Sequence, residues 1–285
     1  MTATGLMGVD SASFSNEGGR DYNEDAVGDC EAFGSVRLFM LADGAGGQGG
    51  GEVAAQTAVA AAKTEFLRLP LFSPDTLRRC MDGADHAIRI AQKSDSRLTR
   101  MASTFVALLV NQQRWQMLMG NLGDSRCYVF RGNRVLAKSH DHSLVQSLID
   151  AGLYPAEKMR QHPKRNVLYA SLGANEESVP PYVTEIPIDL QAGDGVLLCS
   201  DGVWDLLDDV VMGQLHADSA TASIWCDLVE ASVRERMPST HDNFSAIAVR
   251  CRFADLTSND EDDLNTVFSP LDELDILKIN SRRNI

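Results

Sequence analysis

Five short stretches carry the residues that could do chemistry: Arg20 to Asp25 (RDYNED), Leu41 to Glu52 (LADGAGGQGGGE), Asn121 to Arg126 (NLGDSR), Cys199 to Asp205 (CSDGVWD) and His241 to Asn243 (HDN). In each, an acid stands beside a glycine or an asparagine, and most of them close an apolar run. An acid at the end of a buried strand is held where charge is expensive, so a metal or another cation is its usual partner. Five such ends, spread from residue 20 to residue 243, point to one shared metal site.

Asp43 is the clearest of them. It follows the apolar run Leu38 to Ala42, and Gly44 after it lets the backbone approach a ligand closely. Gly44, Gly46 and Gly49 also fit G-x-G-x-x-G between a strand and a helix, the dinucleotide fingerprint. That rival fails in its second half. The acid that should end a second strand is Glu65, which lies inside an Ala-rich helical stretch. A nucleotide P-loop fails too, because no G-K-[ST] follows.

The elements that must position these acids read as mixed strands and helices. Ser35 to Ala42, Thr104 to Val110, Trp115 to Leu122, Arg126 to Phe130, Val183 to Ile188, Val196 to Cys199 and Phe244 to Phe253 are expected strands, from their β-branched and apolar content. Arg131 to Arg134, around Asn133, reads as a hairpin turn. Gly51 to Leu69 is an Ala-rich helix, and Pro74 to Lys93 begins after Ser73, a good N-cap, with proline at its first position. Shorter helices are expected over Ser143 to Ala151, Trp204 to Leu215 and Ala220 to Arg236. Helices grouped between strand runs, without regular βαβ alternation, favour an α+β layered sandwich.

Composition narrows the function. At 285 residues, with 44% hydrophobic and 23% charged residues, the chain can build one large soluble domain. A net charge of -14 argues against nucleic acid, whose phosphates it would repel. The six cysteines, Cys30, Cys80, Cys127, Cys199, Cys226 and Cys251, lack the paired spacing of zinc or redox motifs and read as reduced, buried thiols. No apolar run approaches the roughly 20 residues that span a bilayer, and no leader pattern opens the chain, so no membrane role and a cytoplasmic location are expected.

Residues 255–285 differ from the rest. Eight acids stand there against three bases, and Leu271, Leu274 and Leu277 have helical spacing. A catalytic domain over 1–254 and an acidic tail over 255–285, flexible or docking on a partner, are expected.

Taken together, the five stretches resemble the type 2C metal-dependent serine/threonine protein phosphatases, in particular the bacterial members. Each motif alone is unspecific; five in the family's order and spacing are not. Met101 to Leu109, Asp141 to Val145 and His162 to Gly173 match more weakly. The resemblance implies a four-layer α/β/β/α sandwich, two central antiparallel β-sheets flanked by helices. It implies that Asp43 bridges two Mn²⁺ or Mg²⁺ ions, that Asp201 and Asp242 complete the first site, and that Glu24 and the Gly44 carbonyl serve the second. Asp124 would help Asp201 hold a third ion, with Asp25 and Asn243 supporting from behind. Such hard oxygen ligands suit Mg²⁺ or Mn²⁺ better than Zn²⁺. Arg20 matches the phosphate-binding arginine, whose planar fork suits two phosphate oxygens.

The implied activity is hydrolysis of phosphoserine and phosphothreonine in proteins by a hydroxide bridging two metals, opposing a serine/threonine kinase. Phosphate monoesters need up to about 10²¹-fold acceleration, and two metals about 3.5 to 4 Å apart can supply much of it. Ala45 stands where eukaryotic relatives carry a histidine, which leaves the leaving-group acid open among a metal-bound water, His142 and His162. A flap between Leu136 and Gly173 is implied beside the site, and its Lys158, Arg160, His162, Lys164 and Arg165 are expected to attract the anionic phosphopeptide. The alternative is a silent phosphoprotein-binding domain of the same fold, against which the intact ligand set argues.

Overall fold

A computed structural model describes residues 7–32, 35–47, 49–174 and 179–253. The expected acidic tail over 255–285 lies outside the described residues, as does the boundary that would separate it from the rest. In chain order the first half comprises β1 (Met7–Asn16), β2 (Asp25–Ala32), β3 (Val36–Ala45), α1 (Gly50–Arg68), α2 (Pro74–Ser94), β4 (Ala102–Ser103), β5 (Phe105–Asn111) and β6 (Gln116–Leu122). The second comprises β7 (Arg126–Arg131), β8 (Arg134–Lys138), α3 (Leu144–Asp150), β9 (Tyr182–Val183), β10 (Ile188–Asp189), β11 (Gly195–Cys199), α4 (Asp201–Trp204), α5 (Asp209–Ala217), α6 (Ala222–Arg236) and β12 (Phe244–Phe253).

Two antiparallel sheets form. One runs β1-β12-β11-β7-β8; the other runs β10-β6-β5-β3-β2, with β4 beside β3 and β9 beside β6. Side chains that alternate along each strand divide three cores. Phe39, Leu41, Val106 and Leu108 of the second sheet meet Cys127, Val129, Leu198 and Ile247 of the first in the central layer. The intervening Leu38, Met40, Ala107 and Leu109 turn outward onto Ala54, Ala58, Phe66, Leu77 and Ile88 of α1 and α2. On the far side Tyr128, Phe130, Leu197 and Ala246 pack on Trp225, Val229 and Val233 of α6. This is the expected four-layer sandwich, and burial of both faces explains why the central strands read as continuous apolar runs.

Ser73 caps α2 through its Oγ, 3.3 Å from the Thr76 amide, and Ser143 caps α3 in the same way on Gln146. The hairpin at Asn133 is present, with Gly132 at φ 59°. All six cysteines are buried and free. Among the described residues no helix is long and apolar enough to cross a membrane.

Two expectations change, and two strands were not anticipated. Val183 to Ile188 is not one strand but the two short strands β9 and β10. Trp204 to Leu215 is not one helix but two, because Asp208 starts α5 afresh by accepting the Val211 amide at 2.8 Å. β1 and β2 carry no strong strand signal, since Asp10, Ser11, Ser13 and Ser15 in one and Asp25, Gly28 and Asp29 in the other dilute it. Both lie at sheet edges, where water replaces half of the apolar neighbours.

Candidate metal centre

Asp25 and Asp43 face each other as partners in the antiparallel pair β2–β3. Asp43 is partly buried, and its backbone is held on both sides: its amide donates to Thr104 Oγ1 at 3.1 Å, while its carbonyl accepts from Ser103 Oγ at 3.0 Å and from the Thr104 amide at 2.8 Å. Gly44 follows, with its amide on the Glu24 carbonyl at 3.0 Å. A Cβ on Gly44 would fall 2.0 Å from the Gly51 carbonyl oxygen, so the start of α1 can approach only because residue 44 has no side chain. That approach brings the Gly51 amide to Glu24 Oε1 at 3.2 Å.

The first sheet delivers the other acids to the same end of the sandwich. Asp124 lies in the turn from β6 to β7, Asp201 opens α4 two residues beyond β11, and Asp242 stands two residues before β12. The register places Cys199 opposite both Arg126 and Ala246, which aligns these three positions along one sheet edge. Cross-sheet bonds fasten the two halves. Ser200 Oγ donates to Asp25 Oδ2 at 2.8 Å and accepts the Ser245 amide at 3.0 Å. The Asn243 side chain accepts the Glu24 amide at 2.8 Å and donates to the Glu17 and Tyr22 carbonyls at 2.9 Å. Thr104 Oγ1 and Ser125 Oγ lie 2.7 Å apart.

The acids repel one another. Burial, and then Asp25, Asp201, Asp124 and Asp242, hold the Asp43 carboxyl well above the ordinary carboxylate range. Burial followed by Asp124 and Asp242 does the same to Asp201. Asp124 is pushed up to about 7, chiefly by burial and then by Asp141. Asp25 is pushed up to about 6 by burial, partly countered by serine hydroxyls. Glu24 is raised by burial, against the pull of the Gly51 amide. Arg20 answers part of this charge through Nη2, 2.7 Å from Asp242 Oδ2.

Divalent cations fit this donor set. Every candidate side-chain ligand is a carboxylate oxygen, and Asp25 Oδ1 is buried with no hydrogen-bond partner among the described residues. Among the described residues, no three His, Cys, Asp or Glu side chains are disposed to hold an ion as they stand. Gathering mutually repelling carboxylates onto one point requires the positive charge that would hold them there.

The expected flap bases separate into two kinds. Arg160 Nε donates to the Trp204 carbonyl at 2.7 Å, and Arg165 Nε pairs with Asp205 Oδ2 at 2.8 Å, so both seat the segment on the α4 region. Lys158 and Lys164 are exposed. His162 accepts the Lys164 amide on Nδ1 and stands edge-on to Tyr154, a structural use. His142 is buried against Tyr169, and that burial lowers its pKa, which keeps the ring neutral.

Sequence reasoning missed Ser200, Thr104 and Asp205. Asp205 raises the pKa of both Asp124 and Asp201, and its Oδ1 is buried without a partner among the described residues. The signal for it was its i,i+4 spacing from Asp201, which places the two acids on one helical face.

Residues 15–240 match the family described as Protein phosphatase 2C. The chain belongs to the protein phosphatase 2C family. It is similar to the serine/threonine phosphatase stp of Listeria monocytogenes, 30% identical over 215 residues that cover 73% of this chain and 83% of that protein. It is also similar to the serine/threonine protein phosphatase PstP of Mycobacterium tuberculosis, 34% identical over 235 residues, 80% of this chain and 42% of that one. The crystal structure of the latter phosphatase superposes with a TM-score of 0.72 at 27% identity, covering 87% of this chain and 99% of that chain. A further structure, of the PstP catalytic domain in complex with two manganese ions, gives a TM-score of 0.72 and 27% identity over 86% of this chain and 99% of that one. Type 2C serine/threonine phosphatase, the class expected from the motifs, is therefore the class of this chain.

Proposed function

We propose that this phosphatase hydrolyses phosphoserine and phosphothreonine in proteins at the acidic end of its sandwich, with two divalent cations, Mn²⁺ or Mg²⁺. Glu24, Asp43, the Gly44 carbonyl, Asp201 and Asp242 would hold them, and Asp124 with Asp201 and Asp205 would hold a third. Bound there, such ions supply a water acidified to near-neutral pKa and positive charge for the phosphoryl oxygens. The observation that carries this reading is the convergence of Asp25, Asp43, Asp124, Asp201 and Asp242, close enough that Asp25, Asp43 and Asp201 are each shifted by acids among the others.

The remaining work falls to the chain's own residues. Arg20 binds and orients the phosphate through the guanidinium edge that Asp242 leaves free. Asp25, fixed on Oδ2 by Ser200, keeps a buried Oδ1 without a partner among the described residues, free to accept a hydrogen bond in the loaded site. Asn243 holds the Glu24 and Tyr22 backbones together, so the loop carrying Arg20 cannot drift from the acids. Residues 1–254 constitute the proposed catalytic unit, and 255–285 a proposed partner-docking extension, in a cytoplasmic enzyme opposing a serine/threonine kinase.

The test is phosphate release from a phosphothreonine peptide with Mn²⁺. Chelator should abolish it, and Asp43→Asn should lower it on the order of 10³-fold. Cation binding by calorimetry without turnover would refute the reading.

A further inference from the structure

Tyr22 stands two residues from both Arg20 and Glu24. Its backbone is pinned from two sides. Asn243 Nδ2 donates to the Tyr22 carbonyl at 2.9 Å, next to its bonds with Glu17 and Glu24. Asn23 donates to Ser15 Oγ at 2.8 Å and accepts the Asp25 amide at 3.0 Å. On this fixed loop Tyr22 is 71% exposed, and it is the one large exposed apolar side chain described within the five acidic loops. Other exposed residues on or beside those loops are small, as Gly19, Ala45, Gly47, Ser239 and Thr240 are, or charged, as Arg20, Asp21 and Glu52 are. Asp21, beside it, is also exposed and has no ion pair or hydrogen bond from its side chain among the described residues.

We infer that Tyr22 and Asp21 form a specificity surface that selects phosphoproteins with an arginine or lysine beside the phosphorylated residue. The inference rests on the phosphoprotein reading above and names the substrate sequence that it would favour. A ring on an immobile backbone loses only two torsions on binding, so it is a low-entropy contact for a flexible peptide. Its face attracts a cation, and the adjacent carboxylate pairs with the same charge. The net charge of -14 also draws basic peptides and repels acidic ones. Two of the four flap bases, Arg160 and Arg165, are bound to the body of the protein and offer little to an acidic flank.

The experiment compares kcat/KM for phosphothreonine peptides that differ in one flanking residue, Arg, Leu or Glu, placed on either side, with free phosphothreonine as reference. The full chain with Mn²⁺ should prefer Arg over Leu by about fivefold, the scale of one exposed cation–π contact. Tyr22→Ala should bring that ratio to about one, while Tyr22→Phe should retain it. Asp21→Asn, or salt near about 0.5 M, should narrow the preference for Arg over Glu. Equal rates for Arg and Leu peptides in the unaltered chain, or a ratio that survives Tyr22→Ala, would overturn the inference and leave the phosphatase reading intact. Failure to hydrolyse any peptide or free phosphothreonine would overturn both.

Discussion

Nη2 of Arg20 lies 2.7 Å from Oδ2 of Asp242, joining two loops that are 222 residues apart in the chain. Both side chains are well exposed, so the pair itself adds at most about 1 kcal/mol to stability. Its importance under the proposed function is positional: the guanidinium is parked against the acids, where it would meet the substrate phosphate. Arg20→Ala should therefore leave unfolding free energy within about 1 kcal/mol of the parent while lowering kcat/KM roughly 10- to 100-fold, the loss of a charged hydrogen bond. Chemical denaturation and steady-state kinetics on one phosphopeptide check both halves.

Cation binding and pH should be linked. Asp25 and Asp124 have folded pKa values of about 6 and about 7, above the ordinary value of 3.8. Raised carboxyls bind protons more tightly in the folded state, so their effect is to lower stability of the cation-free protein as pH rises from about 4 to about 7. Bound Mn²⁺ needs the ionised carboxylates and should reverse that slope. Thermal melts with and without Mn²⁺ should show stabilisation that is large at pH 7.5 and small at pH 5. An equal gain at both pH values would contradict the assignment.

Ser200 ties Asp25 to the first sheet and satisfies the buried Ser245 amide. Ser200→Ala removes the bond to Asp25 Oδ2 and the acceptor of the Ser245 amide, and should destabilise by about 1–3 kcal/mol. Because Asp25 stands behind the proposed ligands, Mn²⁺ affinity should also fall about 10- to 100-fold, measurable by calorimetry.

Arg165 holds the 156–165 segment by its pair with Asp205. Arg165→Gln should loosen that segment and free the second oxygen of an acid whose other oxygen already lacks a partner among the described residues. Hydrogen exchange over 156–165 should accelerate, with global unfolding changed by no more than about 1 kcal/mol. Unaltered exchange would show that Arg160, on the Trp204 carbonyl, anchors the segment alone.

Local residue types determined a good deal. The central strands β3, β5, β6 and β12 were legible because burial on both faces demands unbroken apolar runs, and α2 because Ser73 and Pro74 announce its start. Asp43 and Asp201 stand out since an acid that closes an apolar run has few structural uses, while Asp242 is legible only through the family resemblance of its HDN stretch. Tertiary structure alone decided the partners. The edge strands β1 and β2, half solvated, carry mixed residues that local pattern cannot distinguish from loop. Ser200 and Thr104 are ordinary polar residues until register brings them against Asp25 and Asp43. Arg160 and Arg165 read as free positive charge until their carbonyl and carboxylate partners, about 40 residues away, come into contact. Spacing along a chain records periodicity and caps, whereas hydrogen bonds between distant segments exist only after the two sheets have packed.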